Sequence, residues 1–139
     1  MFKFYDHDNP NNVENLDESH TLLEMAQIGK FADYKVSIYG SEGKIPHLHF
    51  YTKDKKISGC IRLDISDYFE HGYHKAKLNS KEKKLFVAWI NSTETPFKKF
   101  VDKLTVWEYA CILWNENNPD YPILDTIKML DYSKLPEKE

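Results

Sequence analysis

The sequence predicts a small α+β domain: an antiparallel meander of three to five strands, packed on one face by two C-terminal helices. Two observations lead to this prediction. Apolar and polar residues alternate in consecutive segments between residues 31 and 64, and polar turns separate those segments. Two later segments, residues 80–91 and 105–118, repeat their apolar residues at the three-and-four spacing of a helix. Strands followed by helices are typical of the α+β class.

Length and composition indicate one domain. A chain of 139 residues with 41% hydrophobic and 14% aromatic residues can bury roughly two-thirds of its surface in one core. We expect an N-terminal arm (residues 1–21), a single domain (22–118) and a C-terminal extension (119–139) whose end frays. Residues 22–28 fit a short helix or a strand about equally, and the glycine that follows favours a strand.

Charge and cysteine content limit the class of protein. A formal net charge of −3 and a pI near 6.1 argue against a general nucleic-acid binder. Cys60 and Cys111 lack the spacing of a zinc finger, so the sequence predicts two reduced thiols and a cytoplasmic location. No basic-then-apolar leader and no run of about 18 apolar residues occurs, so neither a signal peptide nor a membrane span is predicted.

The clearest strand pattern spans residues 31–39. Alternate residues from Tyr34 to Ile38 are apolar, and those between them are polar, which is typical of a strand with one buried face. Turn-forming residues 40–43 follow directly. We therefore expect an antiparallel hairpin with the next segment.

A third strand is predicted over residues 57–64, after the polar turn at residues 53–56. Ile61 would face the core and Cys60 the opposite face. Three strands joined in this way form a meander, which can leave one face partly solvated.

Two helices follow the strands. Asn79 or Ser80 can cap the first, and the second begins with a capping-box pattern from Thr105 to Glu108. Residues 117–119 end the second helix. The apolar positions expected to face the core are Leu85, Phe86, Trp89 and Ile90 in the first helix and Trp107, Ala110, Cys111 and Trp114 in the second.

The strongest functional signal lies in the strand after the hairpin turn. His47, His49 and Tyr51 would share one face, while Leu48 and Phe50 point to the core. Two imidazoles would then project side by side, at a separation that one metal ion can bridge. Because two histidines alone bind a metal weakly, further ligands must come from elsewhere, and the candidates are His71, His74, Asp64 and Glu70.

This histidine face has three interpretations. The ordinary structural one is hydrogen bonding across the sheet, which stabilises the hairpin. The second is a site for zinc or another divalent metal, with His47, His49, His71 and His74 as ligands. The third is a contact surface for a protein or a nucleic acid, formed by His47, His49, Tyr51, Lys53, Lys55 and Lys56.

Motifs for catalysis are absent from the sequence. It contains no GxSxG, GxGxxG or Walker loop and no zincin helix pattern. Cys60 could meet His47 or His49 from a neighbouring strand, but a buried inert thiol is the commoner arrangement. No catalytic residue is predicted.

One succession of motifs resembles a known family. Ile28-Gly29-Lys30-Phe31, a strand ending in Ile38-Tyr39, and Pro46-His47-Leu48-His49-Phe50 are similar to a small bacterial domain-of-unknown-function family marked by a Pro-Pro-His-Phe-His-Val strand. The similarity covers about residues 28–114, and the positions that match the motif are Pro46, His47 and His49. Members are often encoded beside toxin–antitoxin partners. The family has no established activity, so the resemblance implies a fold and a toxin–antitoxin, phage or anti-phage-defence context.

Together these observations favour a small, non-catalytic, intracellular interaction or regulatory module. Its expected partner is a protein, with a nucleic acid as the other possibility, and no membrane is involved. The alternative is a metal-dependent hydrolase or nuclease built on His47 and His49 with His71, His74 or Asp64. The sequence does not determine the oligomeric state.

Overall fold

The structure, a computed structural model, describes residues 25–99 and 103–138. The arm expected over residues 1–21 lies outside the described residues, as do residues 22–24. The described residues form strands β1 (Ala26–Phe31), β2 (Tyr34–Ile38), β3 (His47–Tyr51) and β4 (Ser58–Arg62), helices α1 (Ser80–Ile90) and α2 (Val106–Asn117), and a 3-10 helix (Tyr132–Lys134). The ambiguous segment before residue 29 is therefore a strand from Ala26 onwards. The predicted α+β class is confirmed.

The four strands form one antiparallel sheet in the order β1-β2-β3-β4, which is the predicted meander. Its register places Val36 opposite Phe50 and Leu48 opposite Ile61. All four side chains are fully buried, because opposed residues on neighbouring strands share a face and this face carries the core. The alternation read from the sequence thus marks the buried face correctly.

A glycine allows the first helix to approach the sheet. Gly29 follows a bulge in β1, and a Cβ at this residue would lie 2.8 Å from Cζ2 of Trp89 in α1. The same indole stacks on Phe31, with ring centroids 5.6 Å apart. The contact joins α1 to the first strand, and any side chain at residue 29 would push the indole away.

Capping boxes start both helices. Asn79 accepts from the backbone N–H of Glu82, and Thr105 accepts from that of Glu108, while each glutamate bonds back to its cap. Within α1, Phe86 and Ile90 are buried as predicted. Leu85, which the helical pattern also placed inside, is 43% exposed and belongs to the solvent side. Neither α1 nor α2 has the length and apolar content to cross a membrane.

The second helix and the C-terminal extension close the core. In α2, Trp107 is buried and donates from Nε1 to the carbonyl of Leu63 at 3.1 Å. In the extension, the hydroxyl of buried Tyr132 donates to the carbonyl of Arg62 at 2.5 Å. Near its end the backbone N–H of Lys138 donates to the carbonyl of Leu78 at 2.7 Å. The extension is therefore attached to the domain as far as residue 138.

Candidate metal centre

Strand β3 carries its two histidines on the face opposite the core. Leu48 and Phe50 are fully buried on the core side, so His47 and His49 project from the other side. The register of β3 with β4 places Cys60 opposite His49. The structure buries both imidazoles: His47 is 1% exposed and His49 is 6% exposed.

A loop after β4 covers this face. The backbone N–H of Phe69 donates to the carbonyl of Cys60, and that of Ala76 donates to the carbonyl of Ser58, each at 3.0 Å. Between these two attachments the chain turns at a glycine with a φ of +60°, a conformation that glycine adopts without strain. The turn brings the ring of His71 to 5.2 Å from that of His47, measured between centroids.

Four side chains from β3, β4 and this loop form a cluster of potential metal ligands. One ligand atom from each of His47, His49, Cys60 and His71 can be chosen so that all four lie within 4.8 Å of one another. Sγ of Cys60 is 3.5 Å from Nδ1 of His49 and 3.4 Å from Nε2 of His71. Tetrahedral zinc with ordinary Zn–S and Zn–N bonds would set these two separations at about 3.5 Å.

The ring nitrogens of His47 have distinct neighbours. Nδ1 lies 2.6 Å from the carbonyl oxygen of Ile45, which can only accept, so Nδ1 donates. A histidine that donates one N–H to a backbone carbonyl presents its other nitrogen to a metal in many known sites. Nε2 of His47 is therefore the nitrogen that a metal would take, in place of the proton that it donates to Glu42.

Glu42 lies next to the cluster. Its Oε1 accepts hydrogen bonds from Nε2 of His47 and from Nε2 of His49, each at 3.0 Å. Burial alone would raise the pKa of this carboxyl group, but the two hydrogen bonds outweigh it and hold the pKa well below its usual range. Glu42 therefore remains a carboxylate beside the imidazoles.

Burial also shifts the pKa values of three side chains of the cluster, which are His49, His71 and Cys60. It lowers the pKa of His49, against the hydrogen bond to Glu42, and it lowers the pKa of His71. Burial raises the pKa of the Cys60 thiol well above its usual range. Neutral imidazoles are the form that binds a metal, whereas the thiol needs a cation beside it to ionise.

The same atoms also form a chain that resembles a cysteine nucleophile with its base. Cys60 contacts Nδ1 of His49, and Nε2 of His49 contacts Glu42. Two observations disfavour this chemistry. The cysteine is 1% exposed, so a substrate has no access to its sulfur, and burial raises the thiol pKa when a nucleophile needs it lowered.

The remaining candidate ligands lie outside the cluster. Nδ1 of His74 lies 2.8 Å from Oγ of Ser58, and the His74 ring is 4.9 Å from that of His49 without entering the four-residue set. Asp64 forms a bidentate pair with Arg62 at 2.9 Å. The carboxylate of Glu70 pairs with Lys77 at 3.4 Å. Of the predicted metal ligands, the structure thus brings together His47, His49 and His71.

The predicted contact residues divide into two groups. Tyr51 is buried, and its hydroxyl lies 2.6 Å from Oγ of Ser37, so this hydroxyl is engaged within the sheet. The second group consists of three exposed lysines on the turn between β3 and β4: Lys53, Lys55 and Lys56. Nζ of Lys55 lies 5.5 Å from the centre of the Tyr51 ring.

Two members of the site were not assigned a metal role from the sequence. From the sequence, Cys60 is a candidate nucleophile or an inert buried thiol, although its alternation in β4 and the antiparallel hairpin together indicate the face that carries the histidines. Glu42 gives no comparable signal. It lies in the turn between β2 and β3, and the fold of that turn decides where the carboxylate points.

Comparison of the chain with protein-family models, with curated proteins and with solved structures gives no match. The resemblance to the Pro-Pro-His-Phe-His-Val family and the context that it implies therefore stay predictions.

Proposed function

We propose that this protein is a non-catalytic interaction module whose binding surface is organised by a transition metal, with zinc the metal that its donors favour. The observation that carries the proposal is the convergence of His47, His49, Cys60 and His71 within 4.8 Å. Three imidazoles and one thiolate suit zinc and its chemical neighbours, and they do not suit magnesium or calcium, which prefer oxygen donors.

The number of donors supports a structural metal over a catalytic one. Structural zinc sites commonly have four protein ligands, whereas catalytic sites keep one position for water or substrate. Here four side chains from the chain itself can complete a tetrahedron, and His47, His49 and Cys60 are buried. A metal in this set would join β3, β4 and the loop that carries His71.

The loop supplies the surface for a partner. Tyr73 lies two residues beyond His71 and is 75% exposed, which makes it the most exposed large aromatic side chain among the described residues. It borders a cavity of about 80 Å³ that Lys55 and His74 also line. Exposed aromatic rings are enriched where proteins bind one another. We therefore propose a protein partner that contacts Tyr73. The proposed biological context is a toxin–antitoxin system or a phage.

A metal-dependent hydrolase or nuclease is the second candidate, and Glu42 is the observation that favours it. A carboxylate in contact with two potential ligands could act as a general base toward a metal-bound water. This candidate requires one of the four donors to leave the metal. It predicts metal-dependent cleavage of a phosphodiester or an ester, and the loss of that activity in Glu42→Gln.

The experiment that tests the proposal measures the zinc content of untagged protein by elemental analysis for the wild type, His71→Ala and His74→Ala. The two histidines lie on one loop, but only His71 belongs to the donor set. We expect about one equivalent of zinc in the wild type and in His74→Ala, and a large loss in His71→Ala. The double variant His47→Ala, His49→Ala should also lose the metal.

Three results would contradict the proposal. If wild-type protein contains no zinc or other transition metal and takes up none on titration, it has no metal site. Equal zinc content in the His71 and His74 variants would mean that the loop histidine is not a ligand. Zinc-dependent hydrolysis by the wild type that Glu42→Gln abolishes would favour the enzyme.

A further inference from the structure

The two nitrogens of His49 face different groups. Nε2 lies 3.0 Å from Oε1 of Glu42, and Nδ1 lies 3.5 Å from Sγ of Cys60. A carboxylate only accepts hydrogen bonds, so Nε2 carries the proton and the Nδ1 lone pair points toward the thiol. His49 is thus oriented with Nδ1 as its metal-binding atom.

His47 has the opposite arrangement. Its Nδ1 donates to the carbonyl of Ile45, which leaves Nε2 as the metal-binding atom. A metal on that nitrogen would take the place of the proton that Nε2 donates to Glu42, so Oε1 would have to turn away from His47 while it keeps its bond to His49. The hydrogen bond from His49 to Glu42 involves a nitrogen that does not bind the metal, so it can persist in the loaded protein.

The position of Glu42 depends on the end of helix α2. The backbone N–H of Glu42 donates to Oδ1 of Asn118 at 3.0 Å. Nδ2 of Asn118 donates to the carbonyl of Tyr39 at 3.0 Å and to that of Trp114 at 3.2 Å. Asn118 is 5% exposed, so water does not readily replace these bonds. The turn that bears Glu42 is therefore fastened to the C-terminal cap of α2.

We propose that Glu42 is a positioning residue of the metal centre: it holds His49 in the Nε2–H tautomer so that His49 binds through Nδ1, and Asn118 holds Glu42 in place. This inference rests on the proposed metal-binding function and adds to it. Carboxylates that accept from a ligating histidine orient the ring and strengthen its donor nitrogen, and removing them typically lowers metal affinity 10–100-fold.

The test compares zinc affinity, by competition with a chelator, in the wild type, Glu42→Ala, Glu42→Gln and Asn118→Ala. We expect Glu42→Ala to bind zinc about 10–100-fold more weakly. Glu42→Gln should lose less, because its amide oxygen still accepts from Nε2. Asn118→Ala should shift affinity in the same direction as Glu42→Ala, by a smaller factor. Glu116→Ala, an exposed glutamate on α2, is the matched control and should bind like the wild type.

Two spectroscopic measurements separate positioning from a merely structural role. The cobalt-loaded forms of the wild type and of Glu42→Ala should share one absorption spectrum, including the thiolate-to-metal band, because the four donors are unchanged. Long-range proton–nitrogen correlation NMR of the zinc-loaded wild type should show His49 protonated at Nε2. Thermal unfolding in EDTA should show whether each variant folds without metal.

Several results would overturn the inference. Wild-type zinc affinity in Glu42→Ala would show that the carboxylate does not position the site, and an altered cobalt spectrum would make Glu42 a ligand instead. Protonation of His49 at Nδ1 would exclude the proposed tautomer, and this measurement needs no variant to fold. Failure of the metal proposal itself has a different signature, because then the wild type would bind no metal or His71→Ala would bind as tightly as His74→Ala.

Discussion

Cys60 lies between two imidazoles, and its sulfur distinguishes a metal site from a set of hydrogen-bonded histidines. Its Sγ contacts His49 and His71 at 3.5 and 3.4 Å. A serine could replace the thiol in a hydrogen bond, but it is a poor ligand for zinc. The chemistry of this one residue therefore provides a direct test.

We predict that Cys60→Ser lowers zinc affinity by more than the 10–100-fold typical of losing an outer carboxylate, because a ligand is lost. The thiolate-to-cobalt charge-transfer band should disappear from the absorption spectrum of the cobalt-loaded protein. Cys111→Ser, which changes a cysteine outside the cluster, should keep both the affinity and the band. A charge-transfer band that survives in Cys60→Ser would show that this sulfur is not a ligand.

Gly59, the neighbour of Cys60, faces the crowded core side of β4. A Cβ there would lie 2.4 Å from the carbonyl oxygen of Ala76 and 2.6 Å from Cζ of Phe50. We predict that Gly59→Ala lowers the free energy of unfolding by about 1–3 kcal/mol through overpacking, measured by urea denaturation in EDTA. Gly43→Ala is the comparison, since its Cβ meets nothing within 4 Å and only its φ of +90° is unfavourable. Wild-type stability in Gly59→Ala would contradict the prediction.

At the scale of elements, the sequence predicts those strands and helices whose conformation depends on neighbouring residues in the chain. Alternation predicted β2 and β3 and their faces, and capping boxes predicted the starts of α1 and α2. Leu85 is predicted on the buried side because it has the same helical spacing as Phe86 and Trp89. Only one side of the helix packs on the sheet, however, and Leu85 lies just outside it.

The site was only partly predictable for a related reason. The histidine pair follows from one strand, and the approach of Cys60 follows from the β3–β4 register. The contribution of His71 depends on the path of a loop attached to the outer edge of β4, and that of Glu42 depends on Asn118, 76 residues away in the chain. Such contacts belong to tertiary structure, and no local pattern encodes them.

The loop at residues 69–76 is where the metal should act most strongly. Its ends are held by backbone hydrogen bonds to Cys60 and Ser58, whereas the part between them carries the ligand His71. At exchange times too short for global unfolding to contribute, we predict that zinc slows amide hydrogen exchange in this loop and leaves α2 unchanged, measured by mass spectrometry with zinc and with EDTA. Equal exchange of the loop under both conditions would argue that it does not close on a metal.

At the scale of the whole molecule, metal binding and folding are linked. The donors come from β3, β4 and the loop after β4, so they converge only when these elements are folded, and a ligand that binds only folded protein stabilises it. At a free zinc concentration 100 times the Kd, the free energy of unfolding should rise by about 2.7 kcal/mol. The midpoint Tm in calorimetry should rise with zinc concentration for the wild type and stay fixed for His71→Ala. A concentration-independent wild-type Tm would contradict the linkage.

The order of the donors along the chain has a consequence for biosynthesis. All four lie between residues 47 and 71, on one hairpin and the loop after it, while both helices are encoded later. The donor set is thus complete on the nascent polypeptide before α1 and α2 leave the ribosome. We expect zinc to cross-link the β3–β4 hairpin and the loop that carries His71 early, so a shortage of zinc during translation would lower the yield of folded protein even where mature protein tolerates a chelator.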